Sequence, residues 1–207
     1  MAFSDFKTIS DVQKKYGIKY SEEKFIVRQQ LSPSESFIKD FEFNQENIDL
    51  FSSEASRCEI IISPLLREVY KKHYQKYSFW IQKSISYDEI LSGTPDYIFS
   101  QRSELGKTVL EKPIVIVVEA KKNDFEQGWG QCLAELIASQ KINDNFPRAV
   151  YGIVTDGNLW QFGKLVAETF IKDSGNFTID NLPRVYGALE NLVQLVEAED
   201  EKQEKEY

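Results

Sequence analysis

The sequence predicts an α/β protein with a mixed central β-sheet flanked by helices. Three observations predict it. Ile114 to Val118 are five consecutive aliphatic residues, which implies a strand buried on both faces and hence central. Apolar residues at three- and four-residue spacing mark helices before this strand, after it and near the C-terminal end. Short β-rich runs bounded by turn residues lie between them, giving the order helix, three strands, helix, two strands, helix.

The 207 residues suffice for one well-buried core and are short for two, so the chain reads as a single domain. Within it, residues 1–46 read as an N-terminal extension, 47–165 as the core, 166–198 as a C-terminal helical segment and 199–207 as an acidic tail. A hydrophobic fraction of 42% with 28% charged residues fits a soluble globular chain and excludes a wholly disordered one. No apolar run approaches the ~20 residues of a bilayer span, so no membrane association is expected. The start, MAFSDFKTISDVQKKYG, has no apolar leader, which points to a cytoplasmic protein. Cys58 and Cys132 are too few for a disulfide scaffold, and both are expected as buried thiols.

In chain order, Ser10 as cap, Gln13 and Gly17 as stop outline a short helix over 10–17. KFIVRQ (24–29) reads as a short strand, and 32–43 as loop or helix. From about Asn47 to Tyr74, Ala55, Cys58, Ile61, Ile62, Leu65, Leu66 and Val69 repeat helically. Pro64 inside this run predicts a kink or two consecutive helices. Strands are expected at 79–87 and 96–101, joined through the turn residues 92–95. Residues 103–112 then form a hairpin-type connection to the central strand at 113–121. Asp124 caps a helix to about Gln140, with Phe125, Trp129, Cys132, Leu133, Leu136 and Ile137 as its apolar stripe. A buried strand at 149–155, a turn at Asp156-Gly157 and a partner at 158–165 make a hairpin. Leu182, Val185, Tyr186, Leu189, Leu192, Val193 and Val196 mark the last helix, with Pro183 in its first turn. Residues 197–207 hold six acids and two lysines and read as a solvated helix end or frayed tail.

The chemistry concentrates at Pro95-Asp96, opening one strand, and Glu119-Ala120-Lys121, closing the next. Acid-x-Lys occurs four times in the chain, at Asp5/Lys7, Glu22/Lys24, Glu119/Lys121 and Asp200/Lys202, and one of the four ends a buried strand. Residues two apart on a strand share a face, so Glu119 and Lys121 point the same way. A strand-end ion pair or an ordinary turn explains each fragment alone, but neither explains a charged triplet ending an apolar central strand. Asp96, Glu119 and the carbonyl of Ala120 are the hard oxygen ligands that Mg²⁺ prefers. Lys121 can then orient or help deprotonate an attacking water and offset charge in the transition state.

GTPDY (93–97), VVEAKK (117–122) and the following helix with Gln131 resemble the PD-(D/E)XK phosphodiesterase core. SEASRCEIIISPLLREV (53–69) is similar to the first helix in nuclease domains of type I restriction motor subunits, and GIVTDGNLWQF (152–162) to their last hairpin. The resemblance covers about residues 50–165. It implies a restriction-endonuclease-like fold, with Asp96 and Glu119 as ligands for Mg²⁺ or Mn²⁺ and Lys121 as catalytic lysine. Gln131 corresponds to a glutamine that lies near the site and contacts the phosphodiester or orients the lysine. The polar line Gln127, Gln131, Glu135 lies off the apolar stripe, either toward the site or toward solvent. Glu135 stands where some relatives carry an aromatic. The resemblance also implies a first-helix acid as a further catalytic residue and metal ligand, and this is Glu54, ten residues before Pro64 and near the centre of the apolar stripe, with Glu59 as competitor.

The implied activity is Mg²⁺-dependent hydrolysis of phosphodiester bonds, in DNA before RNA. The alternative is a catalytically silent binding or interaction module on the same fold. The resemblance also admits a homodimer. The net charge of −8 weighs against nucleic acid, because phosphate neutralisation needs local Lys and Arg. Lys71, Lys72, Lys76, Lys83, Arg102, Lys107, Lys121, Lys122 and Lys141 gathered on the site's rim would favour DNA, and scattered they would favour the module. His73, the single histidine, reads as a partly exposed helix residue, and Trp80, Trp129 and Trp160 as packing residues. Gly128 and Gly130, costly inside a helix, point to close backbone packing.

Overall fold

A computed structural model describes residues 2–121 and 124–204. Its centre is a mixed sheet formed by β1 (Lys19–Glu23), β2 (Tyr77–Ile81), β5 (Tyr97–Gln101), β6 (Ile114–Ala120), β7 (Val150–Thr155), β8 (Leu159–Val166) and β9 (Thr169–Asp173), with β10 (Phe177–Thr178) beside β8. The spatial order is β1-β9-β8-β7-β6-β5-β2. Strand β6 is buried along its whole length and runs parallel to β7, while β5 lies antiparallel on its other side. A separate two-stranded ribbon joins β3 (Ile85–Ser86) to β4 (Ser92–Gly93).

Helices cover both faces, as the alternation of the strands requires. Ile116, Val118 and Ala120 face a core shared with Ile61 and Ile62, which follow α3 (Glu54–Arg57), with α4 (Ser63–His73) and with the C-terminal α6 (Leu182–Glu204). Val117, Ile98 and Val154 face the other core, made with α1 (Ile9–Tyr16) and α5 (Phe125–Asn143). Helix α2 (Glu35–Asn47) settles the 32–43 stretch, with Ser34 as its cap.

Pro64 is accommodated by a third device. Residues Cys58–Ile62 form a π-helical turn between α3 and α4, in which the Ser63 N–H donates to the Cys58 carbonyl five residues back. The wider turn absorbs the donor that proline removes while the helix axis continues.

Several expectations are corrected. The first helix is capped by Thr8, not Ser10, through a reciprocal pair with Asp11, although Gly17 ends it in the left-handed conformation as expected. The first strand is 19–23, not 24–29. After Glu23 the donors of Phe25 and Ile26 go to Asp173 and that of Val27 to Asn191, so no ladder forms there. The strand expected at 79–87 breaks at Gln82, whose φ is 47°. Segment 166–198 is not helical throughout, because β9 and β10 precede α6.

The N-terminal extension is also part of the sheet. Strand β1 pairs parallel with β9, and α1 packs on α5. The first acids of the tail are bound, not frayed. Asp200 accepts from Tyr77 Oη at 2.7 Å and pairs with Arg148, and Glu199 accepts from Tyr151 Oη at 2.8 Å. Cys132 is buried as expected, whereas Cys58 is half-buried.

Candidate active site

Asp96, Glu119 and Lys121 come together where β5 begins and β6 ends. Asp96 immediately precedes β5, and its Oδ2 accepts the Ala120 N–H at 2.8 Å. Glu119 alternates with Val118 and Ala120, so its side chain points to the α5 face, where it is 1% exposed. Lys121 follows on the same face, and its Nζ lies 2.7 Å from Glu119 Oε1. The Lys121 N–H donates to the Thr155 carbonyl, carrying the parallel pairing past the end of β6.

Helix α5 closes the site from that face. Asp124 caps it by accepting from the Gln127 N–H, as the sequence predicts. From Gly128 to Gln140 every residue is buried, so the polar line of this helix does not face solvent at Gln131 or Glu135. Gln131 is 8% exposed and Glu135 is fully buried at 0%. Gln131 Nε2 donates to Glu135 Oε1 at 3.2 Å. Glu135 lies within hydrogen-bonding reach of Glu119.

Gly128 explains how the helix comes so close. A Cβ there would sit 2.7 Å from Val154 Cγ1 and 3.2 Å from Lys121 Cγ. A Cβ on Gly130 would meet the backbone of Thr8, Lys7 and Phe6 at 2.7–3.0 Å. Both glycines serve backbone packing, as expected.

Electrostatics follow from this burial. Burial and the charge of Asp96 raise the Glu119 carboxyl to about 8, against the pull of Lys121. Burial and Glu119 hold Glu135 well above its ordinary range. Asp96 is also raised, by burial first and with Glu54 adding to it, while the Ala120 N–H and Lys121 oppose. Burial pulls Lys121 down, but Glu119, Asp96 and Glu54 more than offset it and keep the ammonium above its usual value. Lys121 is therefore a cation at neutral pH, suited to orienting water and offsetting negative charge.

Glu54 is exposed at the start of α3, and its charge acts on both Asp96 and Lys121. Glu59 acts on Cys58 and Tyr97 instead. Of the two first-helix acids, Glu54 is thus the one beside the strand-end cluster. Lys122 lies outside the described residues.

Among the described residues no three His, Cys, Asp or Glu side chains form a ready-made metal cage. The donor set nevertheless fits a small hard cation. Glu119 Oε2 is buried with no hydrogen-bond donor, beside an Asp96 carboxylate that repels it. Mg²⁺ is held by only one or two carboxylates and completes its octahedron with water and substrate phosphate.

Of the cations expected on the rim, Lys71, Lys72, Lys76 and Arg102 are engaged elsewhere among the described residues, while Lys83 follows Gln82, whose N–H donates to the Asp96 carbonyl at 2.8 Å. Lys71, Lys72 and Lys76 pair with Glu68, Glu190 and Glu197 at 2.7, 3.2 and 3.3 Å. Lys76 and Arg102 flank Tyr77 and Gln101, a register pair at the far end of β2 and β5 from Asp96. Lys83 lies over the Trp80 ring and Lys141 over Tyr87. Trp129 and Trp160 are buried packing residues, and Trp80 is half-buried with its Nε1 donating to Ser100. His73 is partly exposed as expected, but both ring nitrogens meet carboxylates on α6. Among the described residues no helix is long and apolar enough to cross a membrane.

No protein-family model matches the chain, and no curated protein matches it in sequence.

Proposed function

We propose that the chain is a divalent-cation-dependent phosphodiesterase of restriction-endonuclease-like fold, acting on DNA. One observation carries this reading. A buried acid, Glu119, is paired with Lys121 and feels the charge of a second acid, Asp96, at the end of the central strand. Such a cluster costs folding free energy unless a cation completes it. When bound, Mg²⁺ or Mn²⁺ would polarise the scissile phosphate and lower the pKa of a coordinated water.

Asp96 and Glu119, with the Ala120 carbonyl, would hold that cation. The Ala120 N–H fixes one oxygen of Asp96 and so sets the direction of the other. Lys121 orients the attacking water and offsets charge on the phosphoryl oxygens in the transition state. Glu54, exposed at the rim, adds negative charge on the side from which water and cation approach. Gln131 is buried beneath the acids and orients Glu135 rather than meeting the phosphodiester.

A second reading, a binding module without catalysis, is favoured by the cation placement. Three of the lysines expected on the rim are bound to acids away from the site. Isothermal titration of Mg²⁺ and Mn²⁺, with the Asp96→Ala/Glu119→Ala double variant as control, separates the two. Binding by the wild type that vanishes in the double variant supports the phosphodiesterase. Its absence at millimolar metal supports the module.

A further inference from the structure

We propose that the cleft beside Lys172 holds a second phosphate of the DNA strand whose scissile phosphate lies at Lys121. This rests on the DNA reading above and extends the site across the start of α5.

The cleft has a volume of about 460 Å³, and Thr8, Ser10, Trp129, Gln161 and Lys172 are among its lining residues. Lys172 is the one cation of that lining, with its Nζ 5.5 Å from the centroid of the Trp129 ring. Among the described residues no carboxylate lies within 4.0 Å of its ammonium, whereas Lys71, Lys72, Lys76, Lys121 and Arg148 each have one. Glu22, its register partner on β1, is exposed and accepts from Tyr20 Oη at 2.6 Å. Burial lowers the Lys172 pKa more than Glu22 raises it, so the ammonium is short of counter-charge, which an anion in the cleft supplies. Thr8 Oγ1 accepts the Asp11 N–H, which leaves its O–H to donate to a phosphate oxygen. Glu126 is the one acid of the lining and is exposed, where water and salt screen it.

The place of the cleft selects the ligand. Glu119 on β6 pairs with Val154 on β7, and Val154 with Gln161 on β8, so the three form one row across adjacent strands. Two interstrand spacings, about 10 Å, separate the ends of that row. Gln161 Oε1 accepts from Trp129 Nε1 at 2.8 Å, which puts the cleft on the α5 face of the sheet, as Glu119 and Lys121 are. Helix α5 touches Lys121 through Gly128 and Lys172 through Trp129. A strand of DNA rises about 10 Å in three nucleotide steps, so one strand spans both positions. The competing role for Lys172 is packing alone, its stem covering the Trp129 ring.

Lys172→Gln separates these, because glutamine keeps much of the stem and loses the charge. Lys164→Gln is the control, removing an equal charge beside Phe25 and Tyr151 on the opposite face of the sheet. Binding of a fluorescent DNA duplex is read by anisotropy in EDTA across a salt series, cleavage in Mg²⁺ gives KM and kcat, and melting midpoints confirm folding. Lys172→Gln is expected to bind more weakly, with the slope of log affinity against log salt shallower by about 0.9, the share of one phosphate contact. Its KM should rise by more than its kcat falls, while Lys164→Gln matches wild type. If Lys172→Gln keeps the wild-type slope and KM, or Lys164→Gln loses as much, the packing role is correct and only this inference is overturned. If wild type neither binds nor cuts the duplex, the DNA reading falls and this inference with it.

Discussion

Asp96 Oδ2 accepts the Ala120 N–H at 2.8 Å, tying the start of β5 to the end of β6 across 24 residues of sequence. The same bond orients the carboxylate and satisfies a strand-end donor, so one residue serves fold and site. Its two roles can be separated. Asp96→Asn keeps an acceptor for Ala120 and loses the charge. Its stability should stay within about 1 kcal/mol of wild type, the net worth of one such hydrogen bond. Phosphodiester cleavage should fall by roughly 10²-fold or more, as when one charge-stabilising group is lost. Urea melts and single-turnover rates check the two halves.

The buried acids predict how stability depends on pH. Glu119 titrates near 4.5 when exposed and near 8 in the fold. Between those values the folded state binds the extra proton, so metal-free stability falls as pH rises from about 4.5 to about 8 and levels off above it. Glu119→Gln should flatten that decline in melts recorded from pH 5 to pH 9. An undiminished slope in the variant would assign the effect to other groups.

His73 gives a slope of the same sign at a different place. Its Nδ1 and Nε2 each lie 3.2 Å from a carboxylate of α6, on Glu197 and Glu190. Burial lowers its pKa, but Glu190 and then Glu197 win and leave it above 6.5. The stabilisation is complete below that value and is lost as pH rises through the folded pKa. His73→Gln should cost about 1–3 kcal/mol at pH 6, typical of charged hydrogen bonds, and less at pH 9. Cation affinity should not change.

Gly128 and Gly130 distinguish contact with the site from contact with the scaffold. Gly128→Ala puts a methyl against Val154 and Lys121, so α5 must shift beside the site. Gly130→Ala meets main chain at Phe6 to Thr8, which cannot swing aside. Overpacking should cost Gly130→Ala about 1–3 kcal/mol, minus the helix propensity gained. Gly128→Ala should lose less stability but more cleavage. Chemical melts and cleavage rates on both variants test this ordering.

The acidic end of α6 should prove structural. Removing residues 199–207 takes away a carboxylate that pairs with Arg148, and the acceptors of Tyr77 and Tyr151. Losing a half-exposed ion pair and two tyrosine acceptors should cost about 1–3 kcal/mol. A truncated chain with the wild-type melting midpoint would contradict this.

What the sequence revealed followed from strong local signals. Strand β6 was legible because five aliphatics in a row leave little but a buried strand, and Glu119 with Lys121 because charges end that run. Asp124, Gly17 and Asp156-Gly157 mark boundaries through cap and turn chemistry that acts within a few residues. Strand β1 has no signature in the sequence because KYSEE is a polar edge strand, held by its pairing with β9 and not by apolar alternation. Strand β9 is five residues long and carries too little pattern to stand apart from the helical segment that follows. The placement of Glu135 needed the whole fold. Its position on the polar line was visible, but α5 is buried on all sides from 128 to 140, and only the sheet decides what each side faces. The lysines were visible one by one, while their pairing with acids on α6 spans more than 110 residues.

The most direct test of the central claim is cleavage of end-labelled duplex DNA in Mg²⁺ and in Mn²⁺ by wild type and Lys121→Ala. The account predicts cation-dependent cleavage by the wild type that stops with EDTA and is lost in Lys121→Ala, with the variant still folded. Equal cleavage by the two proteins, or none by the wild type in either metal, would contradict it.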